Sequence, residues 1–184
     1  PNIPLEKKIL SILKELKIKR IYALLLHDYK DTIGTMGSLN LEALKSLKKK
    51  KLVSKIGLSI YDPSELEKVW KIWKPDIVQA PLNVFDQRIY QSNWLKKLNK
   101  NNIEVHVRSC FLQGLLVKYE NNRLYKRFEK WKNLLNEWNN WCNKNKISRL
   151  AACINFVKKF KNVSYLVVGV ESAQQLEQIV KIFN

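Results

Sequence analysis

The stretch that most constrains this chain is Ile21-Tyr22-Ala23-Leu24-Leu25-Leu26-His27-Asp28, an almost wholly apolar run that stops on a histidine and an aspartate. A strand without polar alternation is covered on both faces, the habit of parallel sheets flanked by helices. Parallel α/β folds carry their chemistry at the C-terminal ends of strands, where His27 and Asp28 fall. The rest of the chain repeats the unit. A helical stripe (Leu5, Ile9, Ile12, Leu13, Leu16) precedes the run, and Leu41, Leu44 and Leu47 begin a helix after it. Further strands are predicted over Lys51–Tyr61, Ile77–Asn83, Ile103–Ser109 and Val163–Gly169. Between them, Asp62-Pro63 reads as an N-cap and first helical residue. Helices are also expected over Ser92–Lys100 and Ser148–Phe160. Phe128, Trp131, Leu135, Trp138 and Cys142 repeat at helical spacing, which reads as a core-facing stripe. Ser172-Ala173-Gln174-Gln175 fits a capping box for a last helix. No hairpin signal interrupts the alternation, so the fold class is α/β with a parallel sheet, either doubly wound or part of a (β/α)₈ barrel. The first βα turn has no G-x-G-x-x-G, which argues against a dinucleotide-binding Rossmann fold.

The 184 residues suit one domain, and no apolar run approaches the ~20 residues of a membrane span. Cys110, Cys142 and Cys153 are an odd set without metal-ligand spacing, read as reduced thiols of a cytoplasmic protein. The net charge of +18 comes almost entirely from lysine, with arginine only at 20, 88, 108, 123, 127 and 149. Surfaces that read nucleic acid favour arginine for its bidentate fork. Lysines scattered along every helix are instead a compositional bias, and specific nucleic-acid binding is not expected.

The strand ends, taken in order, resemble the aldo/keto reductase family of NAD(P)H-dependent (β/α)₈ barrels. The first strand ends in His27, and Lys55-Ile56-Gly57-Leu58-Ser59 ends the second. Gln79 and Asn83 follow, then Arg108-Ser109-Cys110-Phe111-Leu112-Gln113-Gly114-Leu115-Leu116, and last Val167-Val168-Gly169-Val170-Glu171-Ser172 before Gln175-Leu176. On this resemblance residues 1–184 form a single partial barrel domain matching the fourth to eighth strands. About three βα units of ~30 residues each would precede it, making the chain a fragment.

The resemblance also implies roles. The family works with an aspartate, a tyrosine, a lysine and a histidine, and only His27 matches a member of that set. His27 would orient a substrate carbonyl. Ser59 and Gln79 would hold the nicotinamide carboxamide, and Arg108 would stack where many relatives carry a tyrosine. Ser109 neighbours it, and Phe111 to Gln113 would cover the pyrophosphate. Gly169, Ser172 and Gln175 would open the phosphate-binding helix. Gln175 and Ile179 stand where many NADPH-preferring members keep a basic residue and an asparagine, and Ile60 where the family usually has an asparagine, so both NADP(H) and NAD(H) stay open. No metal is expected. The implied function is reduction of an aldehyde or ketone to an alcohol by the complete protein, the isolated chain being inactive. The alternatives are a non-catalytic relative with a binding or assembly role, a basic nucleic-acid-binding module and a half-barrel that dimerises through its edges.

Overall fold

A computed structural model of the chain describes residues 5–118 and 128–183. Residues 119–127 of the long section after the fourth strand, with Arg123 and Arg127, lie outside the described residues, as does the opening Pro1-Asn2-Ile3-Pro4. Five parallel strands alternate with helices, and the chain groups into two compact units, Pro1–Ala80 with Arg88–His106 and Pro81–Gln87 with Val107–Asn184.

The first unit begins with α1 (Leu5–Glu15), β1 (Ile21–Leu26) and a 3₁₀ turn at Tyr29–Thr32, followed by α2 (Gly34–Lys49) and β2 (Val53–Ser59). It continues through α3 (Pro63–Trp70), β3 (Ile77–Pro81), α4 (Arg88–Gln91), α5 (Trp94–Lys100) and β4 (Glu104–Arg108). The four strands lie side by side in chain order. Ile21 pairs with Val53 and Leu26 with Leu58, while Gly57 pairs with Ile77 and Ser59 with Gln79. Ile9 and Leu13 of α1 and Leu41, Leu44 and Leu47 of α2 bury their stripes against Val53 and Ile56. At ~25 cal/mol per Å² such burial is the main term holding helices to a sheet.

Three expectations change here, the first being that α2 begins at Gly34 and not at Leu41. β1 is half-buried rather than covered, because it has a neighbour on one side only. The helix expected over Ser92–Lys100 starts only at Trp94, as α5, because Asn93 before it has a left-handed φ of 61°, and a separate short helix, α4, ends at Gln91. Asn is one of the few residues besides glycine that visit that conformation as single residues.

The second unit contains α6 (Lys132–Lys144, preceded by a 3₁₀ turn at Glu129–Trp131), α7 (Arg149–Lys158), β5 (Tyr165–Leu166) and α8 (Ala173–Phe183). β5 lies beside the end of β4, with Val167 N–H donating to the Val107 carbonyl at 2.8 Å. It is far shorter than the expected Val163–Gly169. The core of this unit is Leu115, Leu116, Leu135, Trp138, Cys142, Ala152 and Cys153. The Trp138 indole N–H donates to the Leu116 carbonyl at 3.0 Å, satisfying the one polar atom that its burial would strand. Of the expected core stripe, Leu135, Trp138 and Cys142 are buried, while Trp131 is half exposed, as is its helix neighbour Trp141. Among the described residues no helix is long and apolar enough to cross a membrane.

Candidate active site

The register of the first unit fixes one group of candidates. His27 follows Leu26, the partner of Leu58, so it stands beside Ser59, and Ser59 pairs with Gln79. Three consecutive strand ends thus present a histidine, a serine and a glutamine in one row, with ~4.8 Å between strands. His27 is exposed, and its ring meets Tyr61 edge-on, centroids 6.2 Å apart at 88°. Tyr61 is held by its backbone: its N–H donates to the Glu65 carboxylate at 3.1 Å, and its carbonyl accepts from Arg88 Nη2 at 3.2 Å. Asp28 is not free for chemistry, since its Oδ1 accepts from Lys30 N–H at 2.9 Å to cap the 3₁₀ turn.

Ser59 is 7% exposed, and its hydroxyl has no hydrogen-bond partner among the described residues. Nor has the half-buried carboxamide of Gln79, whose backbone carbonyl is spent on Ile60 N–H at 2.9 Å. A buried hydroxyl left unpaired costs about 1–3 kcal/mol. A ligand amide offers a donor and an acceptor together, the complement of a hydroxyl beside a carboxamide. These two residues therefore fit the carboxamide end of a nicotinamide.

The second unit carries the remaining candidates. Arg108 ends β4, and its Nη1 donates to Ser109 Oγ at 3.2 Å. Ser109 has a left-handed φ of 60°, and Leu112, Gln113 and Gly114 follow at 47°, 55° and 86°. Non-glycine residues in this region cost of order 1 kcal/mol each and persist only where the surroundings over-determine them. At Ser109 a determinant is Asn83, 1% exposed, which donates to the Ser109 carbonyl at 3.1 Å. Its Oδ1 accepts from Phe85 and Asp86 N–H, both at 2.9 Å. Phe111 is half-buried against the second core, so much of its ring serves packing, and Gln113 is exposed. Cys110 is a buried thiol pushed up to about 12 by desolvation and is no nucleophile.

Gly169 lies in the irregular segment just beyond β5, where an added Cβ would meet nothing within 4 Å. Ser172 caps α8, its Oγ accepting from Gln175 N–H at 3.2 Å. Gln175 Oε1 accepts from Glu171 N–H at 2.8 Å, one residue before the cap rather than at it. The N–H groups of Ala173 and Gln174 remain without partners among the described residues, which suits an anion. Glu171 is paired with Lys118 at 3.4 Å, an exposed contact of little energetic weight.

One cluster escaped sequence reasoning. Glu104 at the start of β4 accepts from the Tyr22 hydroxyl at 2.9 and 2.7 Å, pairs with Lys55, and meets His106 Nε2 at 2.6 Å. Burial opposes its charge, but the hydrogen bonds from Lys55, Tyr22 and His106 outweigh it and hold the carboxyl below its ordinary pKa. The bond to Glu104 raises Tyr22, which stays a phenol. Alternation on β4, with Val105 and Val107 buried and Glu104, His106 and Arg108 on the other face, was the available signal. Lys55 is four residues before Ser59, about 13 Å along the strand. The cluster therefore cannot touch a carbonyl held in the His27 row.

A sequence model of the aldo/keto reductase family matches residues 4–184. No curated protein sequence matches significantly. Among solved structures, an aldo-keto reductase from Bacillus halodurans in its holo form is similar at TM-score 0.74 and 17% identity, covering 97% of this chain and 60% of that one. A glycerol dehydrogenase from Gluconobacter oxydans is similar at TM-score 0.65 and 18% identity, covering 97% and 63%. The chain thus spans less than two thirds of the length of either structure.

Proposed function

The chain belongs to the aldo/keto reductase family, and from that premise we propose that it supplies the cofactor-cradling half of an NAD(P)H-dependent reductase of aldehydes or ketones. In this reading residues 1–184 form one partial barrel domain. It acts together with the βα units that the matched structures have and this chain does not span. The observation that carries the reading is the row His27, Ser59, Gln79, with its buried and unpartnered serine hydroxyl. When bound, the nicotinamide supplies the hydride. The chain's own residues hold and orient. Ser59 and Gln79 fix the ring through its carboxamide. His27 donates a hydrogen bond to the substrate carbonyl and sets its angle of approach. Arg108 offers a flat cationic face for stacking, and the free N–H groups of α8 with Gly169 receive phosphate. Phe111 and Gln113 flank the pyrophosphate. The three buried thiols suit a reducing compartment, so we place the protein in the cytoplasm. The scattered lysines support no specific nucleic-acid role.

The test is His27→Ala in the complete protein, with carbonyl reduction followed by NADPH oxidation and cofactor affinity by fluorescence titration. Turnover should fall about 10²-fold or more while cofactor affinity stays within about twofold. Unchanged turnover would remove His27 from the mechanism.

A second reading, a non-catalytic relative with a binding or assembly role, rests on three positions. Ile60 is fully buried, Ile179 is 7% exposed, and the Gln175 oxygen is spent on its own helix cap. Absence of NADPH and NADH binding by the complete protein would favour it.

A further inference from the structure

A second concave site lies in the helical layer of the second unit, built by α6, α7 and α8 around a cavity of about 1000 Å³. Its lining is unusual in composition. α6 contributes Asn136, Asn139, Asn140 and Asn143, α7 contributes Arg149, α8 contributes Gln178 and Lys181, and none of the described residues that line it is acidic. Asn139 is only 8% exposed, and its Oδ1 accepts from Arg149 Nη1 at 2.7 Å. That bond fixes the orientation of the amide, since oxygen must face the guanidinium, and leaves its NH₂ without a partner among the described residues. The start of α7 borders the same cavity. Ser148 Oγ caps Ala151 N–H at 3.1 Å and the Ser148 carbonyl takes Ala152 N–H at 2.8 Å, but Leu150 N–H has no partner among the described residues.

We infer that this cavity binds a phosphorylated sugar, with the phosphate at the start of α7 between Arg149 and Lys181 and the hydroxyls on the asparagine side chains of α6. The phosphate assignment follows from convergence. A helix N-terminus whose Leu150 N–H is unpaired among the described residues, a guanidinium and an ammonium all line this cavity, and among the described residues no carboxylate lines it. The sugar assignment follows from the amides. Asn136, Asn140 and Asn143 each bring a donor pair and an acceptor to the same cavity, the pattern that vicinal hydroxyls satisfy and that an apolar ligand would waste. The stranded NH₂ of Asn139, nine-tenths buried, is the group that gains most from a ligand oxygen.

Calorimetric titration of the full-length protein with glucose 6-phosphate, inorganic phosphate and glucose tests the inference. Glucose 6-phosphate should bind saturably, at least about tenfold tighter than inorganic phosphate, with glucose weaker than both. Lys181→Glu should weaken both phosphorylated probes about tenfold. Asn136→Leu should weaken glucose 6-phosphate while sparing inorganic phosphate, and Lys161→Glu, a charge change outside the cavity, should leave all three within about twofold. Both Lys181 and Asn136 are solvent-accessible, so these variants keep the fold, which circular dichroism checks. Equal effects of Lys161→Glu and Lys181→Glu would mean unspecific attraction to a chain of net charge +18 and would overturn the site. Equal affinity for inorganic phosphate and glucose 6-phosphate would overturn the sugar assignment. NADPH affinity unchanged by saturating glucose 6-phosphate keeps this site separate from the cofactor reading, and displacement of NADPH would overturn that separation.

Discussion

Gly57 is the position where a single methyl group should do most damage. It lies in β2, paired with Leu25 on one side and Ile77 on the other. A Cβ built there would overlap the Ile77 carbonyl oxygen, stand 2.5 Å from Ile77 Cγ2 and 2.9 Å from its carbonyl carbon. Carbon atoms rest about 3.5 Å apart or more, so β2 and β3 would have to part locally by about 1 Å. The Ile77 side chain can rotate away from the methyl group, but its backbone oxygen cannot. Overpacking a tight site costs about 1–3 kcal/mol, and weakening one or two ladder hydrogen bonds adds about 1 kcal/mol each. Alanine in place of glycine returns at most about 1 kcal/mol through the unfolded chain. The net loss for Gly57→Ala is therefore about 3 kcal/mol, a fall in melting temperature of about 6–12 °C for a chain of this size. The displacement also reaches the site, since Ser59 and Gln79 are the next residues on the same face. Urea unfolding followed by circular dichroism reads the stability, and fluorescence titration of the folded protein reads cofactor affinity. A loss below about 1 kcal/mol with cofactor affinity unchanged would show that the strands are not in the close contact on which the His27–Ser59–Gln79 row depends.

The remaining predictions concern charge and capping. Glu104, held below its ordinary pKa of 4.5, contributes stability that is present above that value and is lost as pH falls through the lowered one. Glu104→Gln should cost about 1–3 kcal/mol at pH 7, and the gap between the two proteins in urea midpoint should close on acidification. A constant gap would contradict the ionised network. Cys110 and Cys153, raised by burial from 9.0 to about 12, should resist Ellman's reagent at pH 8 in the native protein and react at once in urea. Stability from the neutral thiols is lost as pH rises above 9.0 towards 12, so an alkaline fall in the urea midpoint is expected. Gln175→Glu keeps an oxygen for Glu171 N–H but removes the amide donor. It should leave the melting temperature within about 2 °C and weaken NADPH binding about tenfold, whereas unchanged binding would exclude Gln175 from the cofactor site.

Most of the fold was legible because it rests on local signals. β1 came out at Ile21–Leu26, the apolar core of the predicted run, and the Asp62-Pro63 and Ser172 caps are where the residue types put them. What escaped was whatever depends on neighbours. The same apolar pattern gives a covered strand in β2 and a half-exposed one in β1, since coverage belongs to the sheet and not to the strand. Trp131 and Trp141 carry the same side chain as the buried Trp138 but lie on other parts of the helix surface, which spacing alone does not weight. The Glu104 network joins β1, β2 and β4, and no window of sequence contains all of Tyr22, Lys55 and Glu104.

The candidate site divides along the same line. Residue identity at a strand end is a local fact, and parallel register turns it into geometry. Once Leu26 stands beside Leu58 and Ser59 beside Gln79, the row follows with no further freedom. The helix caps show the opposite case. Glu65 and Gln175 are third in their helices, as a capping box requires, but each reaches the N–H before the cap residue, at Tyr61 and Glu171. A shift of one residue is invisible in the sequence, yet it decides chemistry. It anchors the Tyr61 backbone, whose ring faces His27, and it turns the Gln175 oxygen to Glu171 N–H, leaving the Gln175 NH₂ without a partner among the described residues. In the reading proposed above, that donor and the N–H groups of Ala173 and Gln174 would together receive phosphate, a ligand that needs several donors and no acceptor, whichever of the two cofactors brings it.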